Sequence, residues 1–363
     1  MEFISNFDDI KEDLWTYLET ANKPIVIYGM GDGADKILDR LAERNIKVSG
    51  IFASDGFVRR KVFRGMTLES YSEIRERLGS FIVLLSFATS LEEVIENIKA
   101  IACEQEMYAP DVPVYGSGTF TVAYLRDNAK RLQSVFERLS DDISRKAFIN
   151  SIKFRLTGKI SYLFECETDV SESYTNLLKP SDGCSYIDIG AYNGDTIKEF
   201  INYSGENIKV TAFEPDGRTF KKLTAFSDTL VTDIKCYNAA AWSENTELTF
   251  YSRSGRNSSK EKNNHTNKES KIEALSVDLV AEKADFIKVD AEGSELEVID
   301  GMKNLIKNCT PSMNIAAYHR TDDYFTIPEK VLGINDNYDV YFRHFRYIPC
   351  WDTNFYFIKK ELQ

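Results

Sequence analysis

The chain has 363 residues, with 45 Lys and Arg against 57 Asp and Glu and a net charge of −12; that length favours two domains over one. An acidic protein does not attract a polyphosphate backbone, so broad nucleic-acid binding is disfavoured, and without a run of about 18 apolar residues no membrane span is expected. The opening stretch "MEFISNFDDIKEDLW" is acidic and lacks a basic-then-apolar leader, and the six cysteines are scattered without a CxxC, so reduced thiols and a cytoplasmic location are expected. The sequons at Asn202, Asn257, Asn264 and Asn308 are then coincidental.

Residues 7–20 have the period of an amphipathic helix. From Pro24 the pattern becomes strand, glycine turn, helix, strand: "PIVIYG", "ADKILDRLAERN", "IKVSGIF". "SYSEIRERL", "FIVLLSF" and "SLEEVIENIKAIA" continue it, giving four evident strands and a small Rossmann-like α/β unit over 1–116. Residues 117–180 are mostly helical in period and predict a helical bridge. The alternation returns over 181–363, with strands at "YIDIG", "IKVTAFEP", "IKCYNAAAW", "ADFIKVD", "MNIAAYH", "YDVYFRHF" and "NFYFIKK". No helix separates the last two, so they should pair antiparallel. The polar stretch 253–271, with His265 inside it, has almost no apolar residue and predicts a loop with a solvated histidine.

The stretch "YIDIGAYNGDT" carries the chemistry. A strand delivers Asp188 to a turn through Gly190, Ala191, Tyr192, Asn193 and Gly194, and a helix follows. Glycines after a parallel strand let backbone N–H groups approach a ligand, and the helix N-terminus favours negative charge. An acid beside the turn would repel a pyrophosphate but welcome an ammonium, and the tail of S-adenosylmethionine ends in one. Glu214, followed by Pro215, ends the next strand, where an acid can accept from both ribose hydroxyls. Asn238, ending the third strand, could read an adenine edge.

In order and spacing, "YIDIGAYNGDT", "TAFEPD", "NAAAW", "FIKVDAEGSELEVIDG" and "YHR" resemble the FkbM family of S-adenosylmethionine-dependent methyltransferases over about residues 186–360. "LSDDISRKAF", "YFRHF" and "WDT" resemble a longer subgroup. The resemblance implies a class I methyltransferase fold, a seven-stranded sheet ending in an antiparallel hairpin. It also implies O-methylation of hydroxyls on sugars, glycolipids or polyketides, with a small-molecule or glycan acceptor. By position, Asp188, Gly190 and Gly194 would line the methionine end, Glu214 would hold the ribose, and Asn238 with Ala239 would flank the adenine. Asp290 and Glu292 would face the reacting centre.

An attacking alcohol must lose its proton, which calls for a base. Asp290 and Glu292 in "KVDAEG" and His319 in "AAYHR" stand at the sheet edge where open α/β folds bind ligands. His344 in "FRHF" is a further candidate, set beside the core by the alternation around it. Carboxylates near a sulfonium also act by electrostatics alone. Asp290, Glu292 and His319 would suit a loosely held Mg²⁺ as well, although nothing in the spacing demands a metal.

The first glycine turn, "YGMGDGA", fits G-x-G-x-x-G/A through Gly29, Gly31 and Ala34, with Asp55 near the end of the next strand. Structural or docking use, nucleotide or nucleotide-sugar binding, and NAD chemistry are all open to it. Competing functions are therefore a nucleotide-sugar-binding or modifying protein, or a non-catalytic cofactor-binding scaffold. The first lacks a convincing Tyr-x-x-x-Lys dyad near the turn. The second would show loss of the acids or glycines, all of which are present.

Overall fold

Runs of β-branched and aromatic residues too short for helices form the strands, and charged helices of 3.6 period cover them. The structure is a computed structural model, which describes residues 2–55, 61–252 and 268–360. The first sheet comprises β1 (Ile25–Tyr28), β2 (Gly50–Ala53), β3 (Val62–Phe63), β4 (Met66–Ser70), β5 (Ile82–Leu85) and β6 (Glu106–Tyr108). Its order is β3-β4-β2-β1-β5-β6. Only the β3–β4 hairpin is antiparallel. The sheet therefore has six strands among the described residues where four were expected; the quoted apolar runs mark β1, β2 and β5, while β3, β4 and β6 are only two to five residues long and read as loop. The expected helix over 7–20 is also shorter. It spans Leu14–Thr20, because Asp13 caps it by accepting from the Thr16 N–H at 3.1 Å.

The intervening segment is helical, as its period predicts. Its longest helix, Asp142–Thr157, buries Phe148, Ile152, Phe154 and Leu156. Ser144 of this helix accepts from the Phe342 N–H at 2.9 Å. Arg343, fully buried, is clamped between Asp141 (2.7 Å) and Glu172 (2.8 Å). "LSDDISRKAF" and "YFRHF" thus dock on each other. The segment ends in a π-helical turn at Ser173–Leu178.

The second sheet begins with β7 (Ser185–Ile189), β8 (Lys209–Phe213) and β9 (Asp233–Tyr237). A small sheet follows, made of β10 (Ala239–Trp242), β11 (Thr246–Ser252) and β12 (Lys268–Ser276). The main sheet resumes with β13 (Phe286–Val289), β14 (Ser312–Ala316), β15 (Tyr338–His344) and β16 (Thr353–Lys359), in the order β15-β16-β14-β13-β7-β8-β9. β16 runs antiparallel to both its neighbours and the rest is parallel. This is the seven-stranded sheet with a terminal hairpin. One segment differs: "IKCYNAAAW" breaks at Asn238, whose Nδ2 donates to the Glu214 carbonyl at 2.9 Å and the Pro215 carbonyl at 3.2 Å. The two halves therefore enter different sheets. Lys268–Lys271, within the expected polar loop, belong to β12; residues 253–267, with His265, lie outside the described residues.

The two sheets share packing. Ile348 and Cys350, from the loop between β15 and β16, are buried in the core of the first unit. Thr89 and Ile348 exchange both backbone hydrogen bonds, at 2.8 and 2.9 Å. Arg155 joins Asp111 at 3.0 Å between the rings of Phe120 and Tyr324. No helix among the described residues is long and apolar enough to cross a membrane.

Candidate active site

The carboxyl ends of β7, β8, β13 and β14 open on a cavity of about 1150 Å³, the edge where open α/β sheets hold ligands. Gly190, Tyr192, Glu214, Pro215, Asp290 and Glu292 line it, whereas Asp188, Ala191, Asn193, Gly194, Asn238, Ala239 and His319 do not.

Asp188 is fully buried below the turn. Lys288, its register partner on β13, lies 3.5 Å from Oδ1, and Thr196 Oγ1 donates to Oδ2 at 2.5 Å. Burial pushes this carboxyl above its ordinary range against the pull of Lys288. A ligand ammonium at Asp188 therefore gives way to an internal ammonium. The glycines are spent internally as well. A Cβ on Gly190, at φ +76°, would stand 2.0 Å from the Asp290 carbonyl oxygen. One on Gly194 would stand 2.2 Å from the Phe226 ring. These two positions are bare so that β7, β13 and the helix Gly217–Ser227 can close on one another.

Glu214 is buried except for its face on the cavity. Its Oε1 accepts from the Asp216 N–H at 2.8 Å and its Oε2 from the Tyr192 N–H at 3.0 Å. Burial raises the carboxyl to about 7, with those two N–H groups resisting the rise. Asn238 has both amide hydrogens engaged by the Glu214 and Pro215 carbonyls, so its side chain braces the β8 turn.

The opposite wall carries the candidate reacting groups. Tyr318 donates to Asp290 at 3.2 Å. Glu292, at φ +50°, and Gly293 carry the chain around the buried His319 ring. His319 Nδ1 lies 2.8 Å from Glu295 Oε1; Nε2 lies 3.4 Å from Asp290 Oδ1 and 3.6 Å from Glu292 Oε2. Burial alone would lower the imidazole, but the carboxylates of Glu295, Glu292 and Asp290 outweigh it and raise His319 to about 10. Burial and its acidic neighbours push Glu292 up. His319 thus stands behind the cavity wall, its imidazole pushed up by the carboxylates around it. His344 is also buried, 3.0 Å from Thr353 Oγ1, and burial lowers it to about 3. It sits in the core and keeps its neutral form.

Sequence reasoning missed several lining residues. Lys288 and Asn314 face the cavity from strands, while Tyr318, Tyr347, Trp351, Asp352 and Asn354 complete the wall. Trp351 stacks between Tyr318 (6.5 Å) and Tyr347 (6.1 Å). Asp352 has its carboxyl raised to about 6 by burial. The signal for Lys288 was a lysine inside an otherwise apolar parallel strand, which requires a buried partner.

The first glycine turn has a different character. A Cβ on Gly29 would meet the Phe87 ring at 2.5 Å, and one on Gly33 the Ser86 carbonyl at 2.2 Å. Asp55 accepts from Ser72 Oγ at 2.6 Å and from its N–H at 3.3 Å. Ala34 is buried in the helix Asp32–Glu43, and Gly31 has open space around it. The close approaches here are to protein atoms.

No curated protein matches the chain. A crystal structure of methyltransferase FkbM from Methylobacillus flagellatus matches over 98% of this chain and 98% of its own, with TM-score 0.73 and 20% identity. Precorrin-6y C5,15-methyltransferase from Geobacter metallireducens (14% identity, 51% of this chain, 83% of its own, TM-score 0.32) aligns with part of the chain. So does Aeropyrum pernix fibrillarin with natively bound S-adenosyl-L-methionine (11% identity, 52% and 72%, TM-score 0.35). The family model described as "Methyltransferase FkbM domain" matches residues 188–348. Residues 188–348, which begin at Asp188 beside the glycine turn, thus match the methyltransferase FkbM domain, and the whole chain shares the fold of the methyltransferase FkbM from Methylobacillus flagellatus.

Proposed function

We propose that the chain is an S-adenosylmethionine-dependent O-methyltransferase acting on a hydroxyl of a sugar, glycan or glycolipid. The observation that carries this reading is Glu214: a buried carboxylate fixed by two backbone N–H groups and turned to the cavity at the end of β8. Its remaining lone pairs suit a vicinal diol such as a ribose. The cavity also suits a cationic ligand, because Asp195, Glu199, Asp290, Glu292 and Asp352 with Glu214 outnumber Arg218, Lys222 and Lys288 in its lining. Glu214 would hold the ribose, and Gly190, Tyr192 and Pro215 would form the adjoining wall. When bound, the cofactor supplies a methyl group on a sulfonium.

The chain's own groups supply the rest. Asp290 and Glu292 are the carboxylates beside which an acceptor hydroxyl loses its proton. Tyr318 orients Asp290, and His319 lies against both carboxylates from behind. The rings of Tyr347, Trp351 and Tyr318 offer flat apolar faces for the C–H face of a sugar, with Asn314, Asp352 and Asn354 near for its hydroxyls. The same rings exclude water from the methyl path. Calorimetry on the full chain should give micromolar binding of S-adenosylhomocysteine and none of NAD. Labelled methyl groups from S-adenosylmethionine should then appear on a hydroxyl in a panel of free and lipid-linked sugars. Tight NAD binding without a response to S-adenosylhomocysteine, or label on an amine, would overturn the reading.

A further inference from the structure

We propose that Asp290, Glu295 and His319 form a binding site for one first-row divalent cation, such as Mn²⁺ or Zn²⁺, in the wall of the cavity. One ligand atom from each of the three lies within 4.8 Å of the others. Ligands about 2.1 Å from a cation stand about 3 Å apart when adjacent and about 4 Å when opposed, so a closing of a few tenths of an ångström seats a single ion.

The site is built from buried groups. His319 and Glu295 are each 1% exposed. Nδ1 of His319 stands 2.8 Å from Glu295 Oε1, whereas Nε2 of His319 and Oε2 of Glu295 lack a hydrogen-bond partner among the described residues. A buried ring nitrogen and a buried carboxylate oxygen left without partners cost stability, and a cation between them would satisfy both. The 3.4 Å from Nε2 to Asp290 Oδ1 is too long for a good N–H···O bond and normal for two ligands of one ion. Glu292 Oε2, 3.6 Å from the same nitrogen, is a further oxygen within reach.

The backbone prepares the same arrangement. Glu295 Oε1 accepts from the Ala291 N–H at 2.9 Å and the Gly293 N–H at 3.3 Å, leaving Oε2 available. On the other side, the Tyr115 N–H donates to the His319 carbonyl at 2.9 Å and fixes that turn. Asp290 and Glu292 are the two members of the group that reach the cavity. An ion held here is entered from that side and keeps its outer positions for water or an acceptor hydroxyl, which it would polarise. The mixed nitrogen and oxygen donors favour a transition metal over Mg²⁺, whose preference is for oxygen alone. Only this last use rests on the methyltransferase reading.

The full chain, stripped with EDTA and dialysed, is titrated with Mn²⁺ by loss of the free-ion EPR signal and by calorimetry. One Mn²⁺ should bind per chain, Zn²⁺ should displace it, and Mg²⁺ at the same concentration should not. Affinity should fall at least tenfold in H319Q and in D290N. Asp290 is partly exposed, so D290N supplies the test if the buried substitution does not fold. No uptake of Mn²⁺, or uptake unchanged in the folded variants, would overturn the site and leave His319 as an imidazolium countering its carboxylates. S-adenosylhomocysteine titrated in EDTA separates the two readings. Its binding without Mn²⁺ uptake refutes the ion site alone; Mn²⁺ uptake without its binding refutes the methyltransferase reading alone.

Discussion

Replacing Glu214 by Ala removes the carboxylate proposed to hold the ribose. A hydrogen bond to a charged group contributes about 1.5–3 kcal/mol, so S-adenosylhomocysteine should bind roughly 10- to 100-fold more weakly. The substitution also strips acceptors from the Tyr192 and Asp216 N–H groups. Their loss costs stability separately, about 1–3 kcal/mol, toward the low end because the cavity admits water. The two effects part in the assay: urea melts of the free protein report the turn, and calorimetry at saturating folded fraction reports the ribose. A second signature follows from the carboxyl being raised to about 7 by burial. Ribose hydroxyls donate to the ionised form, so ligand binding draws the proton off. Affinity should therefore rise with pH through about 7, up to about tenfold per unit of pKa lowered on binding. In Glu214→Gln the rise should be absent. Unchanged affinity in Glu214→Ala, with a wild-type pH profile that matches Glu214→Gln, would show that the ribose lies elsewhere.

Gly190→Ala should fail to accumulate or lose at least about 3 kcal/mol, since it adds a backbone clash to a left-handed strain of about 1–3 kcal/mol; a near-normal urea midpoint would contradict that packing. Gly31→Ala, at φ +116° in open space, should cost only about 1–2 kcal/mol and leave S-adenosylhomocysteine affinity intact; a nucleotide-sugar that raises the melting temperature of wild type but not of this variant would reassign the first turn. His344 is held neutral, with its folded pKa lowered to about 3 from 6.5. Its contribution is present above pH 6.5 and lost as pH falls toward 3, at about 1.4 kcal/mol per pH unit. Urea melts at pH 7 and pH 5 should differ by about 2 kcal/mol from this group, and the difference should shrink in a folded His344→Gln chain.

The alternation from Tyr186 to Ala317 was legible because parallel strands buried on both faces read as short apolar runs between helical periods. The final hairpin was legible from the missing helix. β3, β4 and β6 were not, since strands of two to five residues are too short to carry a period. The break at Asn238 was hidden because it depends on a side-chain bond to a turn 24 residues earlier in sequence. At the site, Glu214 and Asp290 stand at strand ends, where position alone marks them. Glu295 is one acid among several in "DAEGSELEVID", and only the fold shows that it faces His319. Asp188 was read as meeting a ligand ammonium; the register of the neighbouring strand, which no local pattern discloses, sets Lys288 beside it.

The reciprocal bonds between Thr89 and Ile348 give the first unit a hold on the aromatic wall of a cavity that, among the described residues, it borders only through Val114. Ile348 and Cys350 are rooted in that unit's core, while Tyr347 and Trp351 on either side of them line the cavity. On the proposed function, substitutions around Thr89 would therefore shift the aromatic wall offered to an acceptor while the β8 turn that carries Glu214 stays as it is. An exchange of first units between two such chains would then carry acceptor preference with it.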